Sequence, residues 1–477
     1  MIKRFLILLL CTALVPATSV ADLPDLGDVA ASELSPLAER RLGESIMREI
    51  RWRDPSYLDD PEVEDYLNRI GRRLVAGSDQ PNRRFEFFVI DDPTLNAFAL
   101  PGGHIGVHSG LILAAESESE LAAVLGHEIA HVTQRHIAQL FGKQGQASMV
   151  MLASLLVAIL AAKSNSQVSE AALAAGQAGV IQSQLGYTRA FEREADRIGL
   201  QIMERSGFDV RGKPSFFERL QRSSRLYENN APGYLRSHPL TEERISDISN
   251  RVAQMRYRQV PDSADFRFIQ GKLRASVGSA VDRVRDYETL IAGGAADPAT
   301  QYALARALLR AGRVDGAWEA TEALRASGQP SPFIEALAAE TRLAARDPDR
   351  AIAIMEKAVA TFPDHASLQY ILIEALIRGG RAADAAALSR AALQRNGDDV
   401  RLWALSSRAE ETLGRMSAYH RAQAEVYAIR GSLPAAIEQL ELARRAGDGD
   451  FFELSAIDAR MRELQEEARQ RRAEEGR

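Results

Sequence analysis

The chain is poor in cysteine: a single residue, Cys11, stands among 477. That excludes a disulfide framework and a cysteine-rich metal site. It has no positive excess either. Its 59 basic and 65 acidic residues leave a formal net charge of −6, where a nucleic-acid-binding protein usually presents a basic face. Nucleic acid is therefore not expected as a partner. Glycine and proline, 33 and 18 residues, are too few for a low-complexity chain. What is present is globular: 46% hydrophobic and 26% charged residues, enough chain for two to four domains at about 150 residues each.

The chain opens with an address. Lys3 and Arg4 precede an apolar run from Phe5 to Ala13, and Ser19-Val20-Ala21 is a small-x-small cleavage site. This order makes residues 1–21 a cleaved secretory signal peptide, because the apolar run is too short to span a bilayer. Cleavage before Asp22 removes Cys11 and leaves a thiol-free protein in an oxidising compartment.

Residues 22–260 mix helical stretches with a short strand-like region. A break at Pro261-Asp262-Ser263 follows, and residues 265–470 read as repeated helices. Ala317, Ala351 and Ala385 recur every 34 residues, as do Ala358 and Ala392, the period of a tetratricopeptide repeat. The fold expected is mostly α with a small β-sheet, ending in an α–α solenoid. The last unit, containing Ala436 and Ala443, reads as out of phase with Ala385, which suggests an extra helix within 416–430. The tail Arg460–Arg477 is charged on all sides and reads as a solvated or fraying helix.

Histidine is also scarce, at eight residues, yet it clusters in His127-Glu128-Ile129-Ala130-His131. Ser117-Glu118-Ser119-Glu120 ahead of it is a capping box, and Leu121, Val124, Leu125, Ile129 and Val132 continue at helical spacing. Histidines at i and i+4 share a helix face and reach one metal ion. Glu128, about 100° round, stands beside that ion, where it can act as general base on a water held there. The ligand types point to one zinc ion (Zn2+) per chain, needing a third protein ligand and an open fourth position. His136 lies about 140° round the helix from His131 and is not expected to be a ligand. Glu192 and Asp196 share a face of a second helical run, with Glu194 pointing nearly the opposite way from Glu192. One carboxylate can be a ligand and the other can accept a ligand histidine's second N–H. On spacing alone, a solvated face paired with Arg193 and Arg197 remains an alternative.

Together these residues resemble the HtpX-like family of gluzincin metallopeptidases. His127–His131 match its zinc motif, and Glu192-Arg193-Glu194-Ala195-Asp196 its E-x-x-A-D motif. Asn96–Gly103 resembles its segment before the zinc helix, and Ser237-His238-Pro239 with Arg244 its late H-P motif. The resemblance implies an α+β zincin metallopeptidase domain with His127, His131 and Glu192 as ligands. It also implies Asp196 as the outer partner and His238 as a residue near zinc. Two roles suit His238, stabilising the oxyanion or occupying zinc's open position to hold the enzyme latent; a capping or core histidine is the plain alternative. With a signal peptide in front and repeats behind, the resemblance extends over essentially the whole chain. It then implies a periplasmic zinc endopeptidase, with stalled, unfolded or misfolded outer-membrane β-barrel proteins as clients and the barrel-assembly machinery as partner.

Phe85 to Ile90 is β-rich, and Asn96–Leu100 and His104–His108 flank a Pro-Gly-Gly turn. This reads as a hairpin whose outer strand could pair with an extended substrate. His104 and His108 read as surface residues. The nearly uncharged run Ala147–Ala162 is short of the roughly 20 residues of a membrane span. It reads as a helix covering the cleft, with peripheral membrane contact as the alternative. Two rival functions stand beside the peptidase. One is a chaperone or scaffold with a mostly latent site; the other is an assembly factor whose repeats alone suffice.

Overall fold

The computed structural model describes residues 34–142, 189–225, 233–328 and 330–475. The signal peptide and the 147–162 run lie outside the described residues. Among the described residues no helix is long and apolar enough to cross a membrane.

Helix α1 (Pro36–Arg53) starts at Ser35, whose side chain accepts from the Ala38 N–H, and α2 (Pro61–Ala76) starts at Asp60, which caps Glu62 and Val63. Proline fills the first turn of both, where its missing N–H has no partner to lose. Three strands follow: β1 (Glu86–Ile90), β2 (Ala97–Leu100) and β3 (His104–His108). Their order is β1-β3-β2, with β1 parallel and β2 antiparallel to β3. The hairpin expected around Pro101–Gly103 is therefore present, closed through Gly102 at φ 81°. β2 forms one edge of the sheet.

Helix α3 (Ser109–Ala114) leads into α4 (Glu118–Thr133) and α5 (His136–Gly142). Then come α6 (Arg189–Arg205), α7 (Gly212–Arg225), α8 (Gly233–Ser237) and α9 (Glu242–Gln254). Ser117 caps α4 through the Glu120 N–H, but the Glu120 carboxylate reaches back to the Glu116 N–H rather than to the cap residue itself. Every residue of α4 is buried, so it runs through the core between the sheet and α6.

Twelve helices complete the described chain. Six open the pairs: α10 (Ala264–Ser276), α12 (Pro298–Arg310), α14 (Pro332–Ala344), α16 (Ala366–Arg378), α18 (Val400–Thr412) and α20 (Leu433–Arg445). Six close them: α11 (Ala280–Ala292), α13 (Val314–Ala326), α15 (Pro348–Thr361), α17 (Ala382–Leu393), α19 (Met416–Ile429) and α21 (Phe451–Glu475). The opening helices keep step to the end. The expected phase slip is therefore absent, and α19 is the regular second helix of its pair. Ala436 lies on an opening helix whereas Ala385 lies on a closing one, which is why the two alanines differ by a half period. The tail also differs from expectation. Ile457, Met461 and Leu464 of α21 are buried against α20, so the charged segment is anchored on one side.

The hydrophobic core does not stop at the Pro261–Ser263 break. Phe266, Phe268 and Ile269 of α10, with Tyr302 and Phe333 beyond, belong to the same cluster as Leu67, Ile105 and Leu125. The break itself grips the start of α4. The Glu118 carboxylate accepts from Tyr66 Oη and Ser263 Oγ, and the Glu118 N–H donates to Asp262.

Candidate metal centre

Helices α4 and α6 meet at two glycines. A Cβ on Gly199 would lie 3.0 Å from the Gly126 carbonyl and from the His127 nitrogen, closer than side chains normally pack. With neither Cβ present the backbones approach closely. His127 and His131, one turn apart on α4, then face Glu192 and Asp196, one turn apart on α6.

His127 Nε2 lies 3.0 Å from His131 Nε2. The Glu192 carboxylate is 3.4 Å from His131 Nε2 through Oε1 and 3.5 Å from His127 Nε2 through Oε2. A fourth donor comes from the turn after α8: His238 Nδ1 lies 3.0 Å from Glu192 Oε1 and 3.3 Å from His127 Nε2. Donors about 2.0–2.1 Å from a tetrahedral cation stand about 3.3 Å apart; the pairs above lie 3.0–3.5 Å apart, and one donor atom from each of the four residues lies within 4.8 Å of the others. All four side chains are buried. Three imidazoles and a carboxylate packed this way, away from water, fit a metal ion better than they fit one another.

The second carboxylate serves His127 from behind. Asp196 Oδ1 stands 3.0 Å from His127 Nδ1, fixing the tautomer that leaves Nε2 facing the group. Arg244 clamps Asp196 with both nitrogens of its fork, Nε at 2.7 Å and Nη2 at 2.9 Å, and its Nη1 lies 2.8 Å from Glu192 Oε2. Lys213 Nζ, itself buried, is 3.1 Å from Asp196 Oδ1. Burial alone would raise the Asp196 carboxyl. The Lys213 charge, with hydrogen bonds from His127 and Arg244, outweighs burial and holds it well below the usual range. Burial likewise opposes ionised Glu192, and the three histidines around it reverse the balance.

Glu128 lies beside this group. It is fully buried, and neither carboxylate oxygen has a hydrogen-bond donor among the described residues. His238 Nε2 stands 3.5 Å from its Oε1. A buried carboxylate left so is costly and calls for a functional reason. Tyr234 stacks on the His238 ring, with centroids 4.7 Å apart, and its backbone N–H donates to the Leu95 carbonyl just before β2. His238 is thereby tied to the edge strand.

The residues singled out from the sequence thus come together: His127, Glu128, His131, Glu192, Asp196 and His238. Two expectations are corrected. His108 is buried, with Nδ1 2.9 Å from Thr94 Oγ1. His104 is nearly so, its Nδ1 2.9 Å from Glu86 Oε2. Strand parity gave them a common face but not what covers it. Lys213 was not foreseen, and Arg244 was noted without a role. A lone cation reveals its partner only when distant segments meet. His136 is not among the four donors, yet it is buried beside them.

Residues 61–252 match the profile of peptidase family M48, and residues 342–409 match a tetratricopeptide repeat. The chain is 33% identical over 458 residues to the beta-barrel assembly-enhancing protease of Escherichia coli, covering 94% of this chain and 93% of that one. To the protein of the same name from Yersinia pestis it is 32% identical over 454 residues, covering 94% and 93%. Over 196 residues it is 31% identical to the mitochondrial metalloendopeptidase OMA1 of Schizosaccharomyces pombe, covering 41% of this chain and 54% of that one.

Proposed function

The chain is a metalloendopeptidase of peptidase family M48 carrying tetratricopeptide repeats, and from that premise we propose that it is a periplasmic zinc endopeptidase acting on outer-membrane β-barrel proteins that stall or misfold. One observation carries the reading: four buried donors within 4.8 Å of one another, with the carboxylate of Glu128, which has no hydrogen-bond donor among the described residues, beside them. The likeness along the whole chain to β-barrel assembly-enhancing proteases supports the client class.

His127, His131 and Glu192 would hold the zinc ion, which when bound would polarise the scissile carbonyl and acidify the attacking water. Glu128 is placed to take a proton from the attacking water on a carboxylate oxygen and to return it to the departing amine nitrogen. Asp196, itself held by Arg244 and Lys213, keeps His127 in the tautomer that presents Nε2. The edge strand β2 holds an extended client segment by backbone pairing, which makes few sequence demands. Residues 22–260 carry this chemistry once 1–21 are removed. Residues 265–470 dock clients or the barrel-assembly machinery. His238, with Nδ1 among the four donors and Nε2 towards Glu128, acts as a latch on the fourth position.

That latch also favours a second reading, a scaffold of outer-membrane protein assembly whose protease site stays mostly closed. Incubation with a β-barrel protein, either urea-unfolded and diluted or folded in detergent, tests both. The proposal expects cleavage of the unfolded form alone, and faster cleavage by His238→Ala. Equal cleavage of both forms contradicts the client assignment. Cleavage at background in wild type and His238→Ala alike supports the scaffold.

A further inference from the structure

His136 reaches the centre through a break in its helix. α4 ends at Thr133, and Arg135 adopts φ 53°, a left-handed conformation that strains a residue bearing a side chain. The strain is held from outside. Arg135 Nη2 donates to the Leu34 carbonyl at 2.6 Å, and Nε lies 3.3 Å from Glu39 Oε2. Glu39 is buried and also bound by Arg83. An unbroken helix would carry His136 round to another face. The break folds it back, so that its Nδ1 lies 2.9 Å from His131 Nδ1 and its Nε2 3.2 Å from Glu194 Oε2. Its ring stacks on Phe191 at 4.4 Å between centroids.

These distances fix the direction of each proton. His131 turns Nε2 towards the other donors. An imidazole that gives the Nε2 lone pair to a cation carries its hydrogen on Nδ1 and needs an acceptor there. The acceptor at 2.9 Å is His136 Nδ1. A neutral imidazole that accepts on Nδ1 carries its own hydrogen on Nε2, and the Glu194 carboxylate is there to take it.

We propose that His136 and Glu194 form a relay that fixes the tautomer and orientation of His131. They are positioning residues that do for the second histidine what Asp196 does for the first. The chain of donation runs from His131 Nδ1–H to His136 Nδ1, and from His136 Nε2–H to Glu194 Oε2. The inference rests on the reading of His131 as a ligand.

The test uses purified residues 22–477, zinc-binding constants from chelator competition, and nitrogen NMR of the imidazoles in the zinc-loaded protein. The spectrum of the wild type should show His131 protonated on Nδ1, and His136 protonated on Nε2 and bare on Nδ1. His136→Phe keeps the stacking on Phe191 but removes the acceptor. It should bind zinc roughly 10–100-fold more weakly, with the melting temperature of the zinc-free protein unchanged. His136→Gln, which offers an acceptor oxygen, should recover part of the affinity. Glu194→Leu should weaken zinc binding by less than His136→Phe. A His136 protonated on Nδ1, or His136→Phe binding zinc as tightly as wild type, would overturn the relay. If His136→Phe fails to fold, the wild-type spectrum decides alone. Loss of the underlying ligand assignment shows separately: wild type would bind no zinc, or His131→Ala would bind it unchanged, and the relay falls with it.

Discussion

At the scale of the residue, the centre places three carboxylates, from Glu128, Glu192 and Asp196, beside two buried cations, Lys213 and Arg244. Asp196 has the clearest linkage. Its folded pKa lies well below the ordinary value of about 3.9. It therefore contributes stability that is full above that value and lost as pH falls below it. The melting temperature of chelator-stripped protein should drop between about pH 5 and about pH 3, and Asp196→Asn should flatten that drop. An equal slope in the two proteins would deny Asp196 this role. Much of the site was legible in the sequence because it is local. His127 with His131, and Glu192 with Asp196, are each one helical turn apart, and helix geometry alone puts each pair on one face. Lys213 was not legible, since 17 residues separate it from Asp196 and nothing local marks the contact.

At the scale of the element, the site depends on how closely α4 and α6 cross. Gly199→Val should push the helices apart, costing about 1–3 kcal/mol by overpacking and weakening metal binding along with stability. Chemical denaturation and chelator competition on the same variant check both. Unchanged metal affinity would mean that the ligand set tolerates the separation. The repeats show how an element can mislead when read by composition. The opening helices from α10 to α18 start at Ala264, Pro298, Pro332, Ala366 and Val400, a steady period of 34. Gly278, Gly312, Gly380 and Gly414 carry positive φ at the matching turns, and Arg346 takes the same conformation at φ 59°. Buried alanines occur on both helices of a pair, so alanine spacing alone confuses one helix with the other. The turn positions keep the register.

At the scale of the whole molecule, catalytic and repeat regions share one core and a set of ion pairs and hydrogen bonds. Lys272 of α10 lies 2.7 Å from Asp60 and pairs with Glu62 at the start of α2. Arg401 of α18 bonds Asp59 and Glu64, and Gln270 donates to the Ile112 and Ala115 carbonyls. The sequence marks the break at Pro261 but not this joint surface, because the cations and their acids lie more than 200 residues apart. Residues 22–260 made alone would expose the apolar surface that Phe266, Phe268 and Ile269 cover and would leave Glu62 unpaired. They should melt well below the full chain, or aggregate, in circular dichroism and size-exclusion runs. A melting temperature equal to that of residues 22–477 would show that the shared core contributes little.

The most direct test of the central claim is casein hydrolysis by residues 22–477, with metal content determined on the same samples, for wild type and Glu128→Gln. Glu128 lies beside the four donors without being one of them. Both proteins should therefore hold about one zinc per chain, while hydrolysis falls to background in the variant. Hydrolysis that survives in Glu128→Gln, or a wild type without bound metal, would contradict the account.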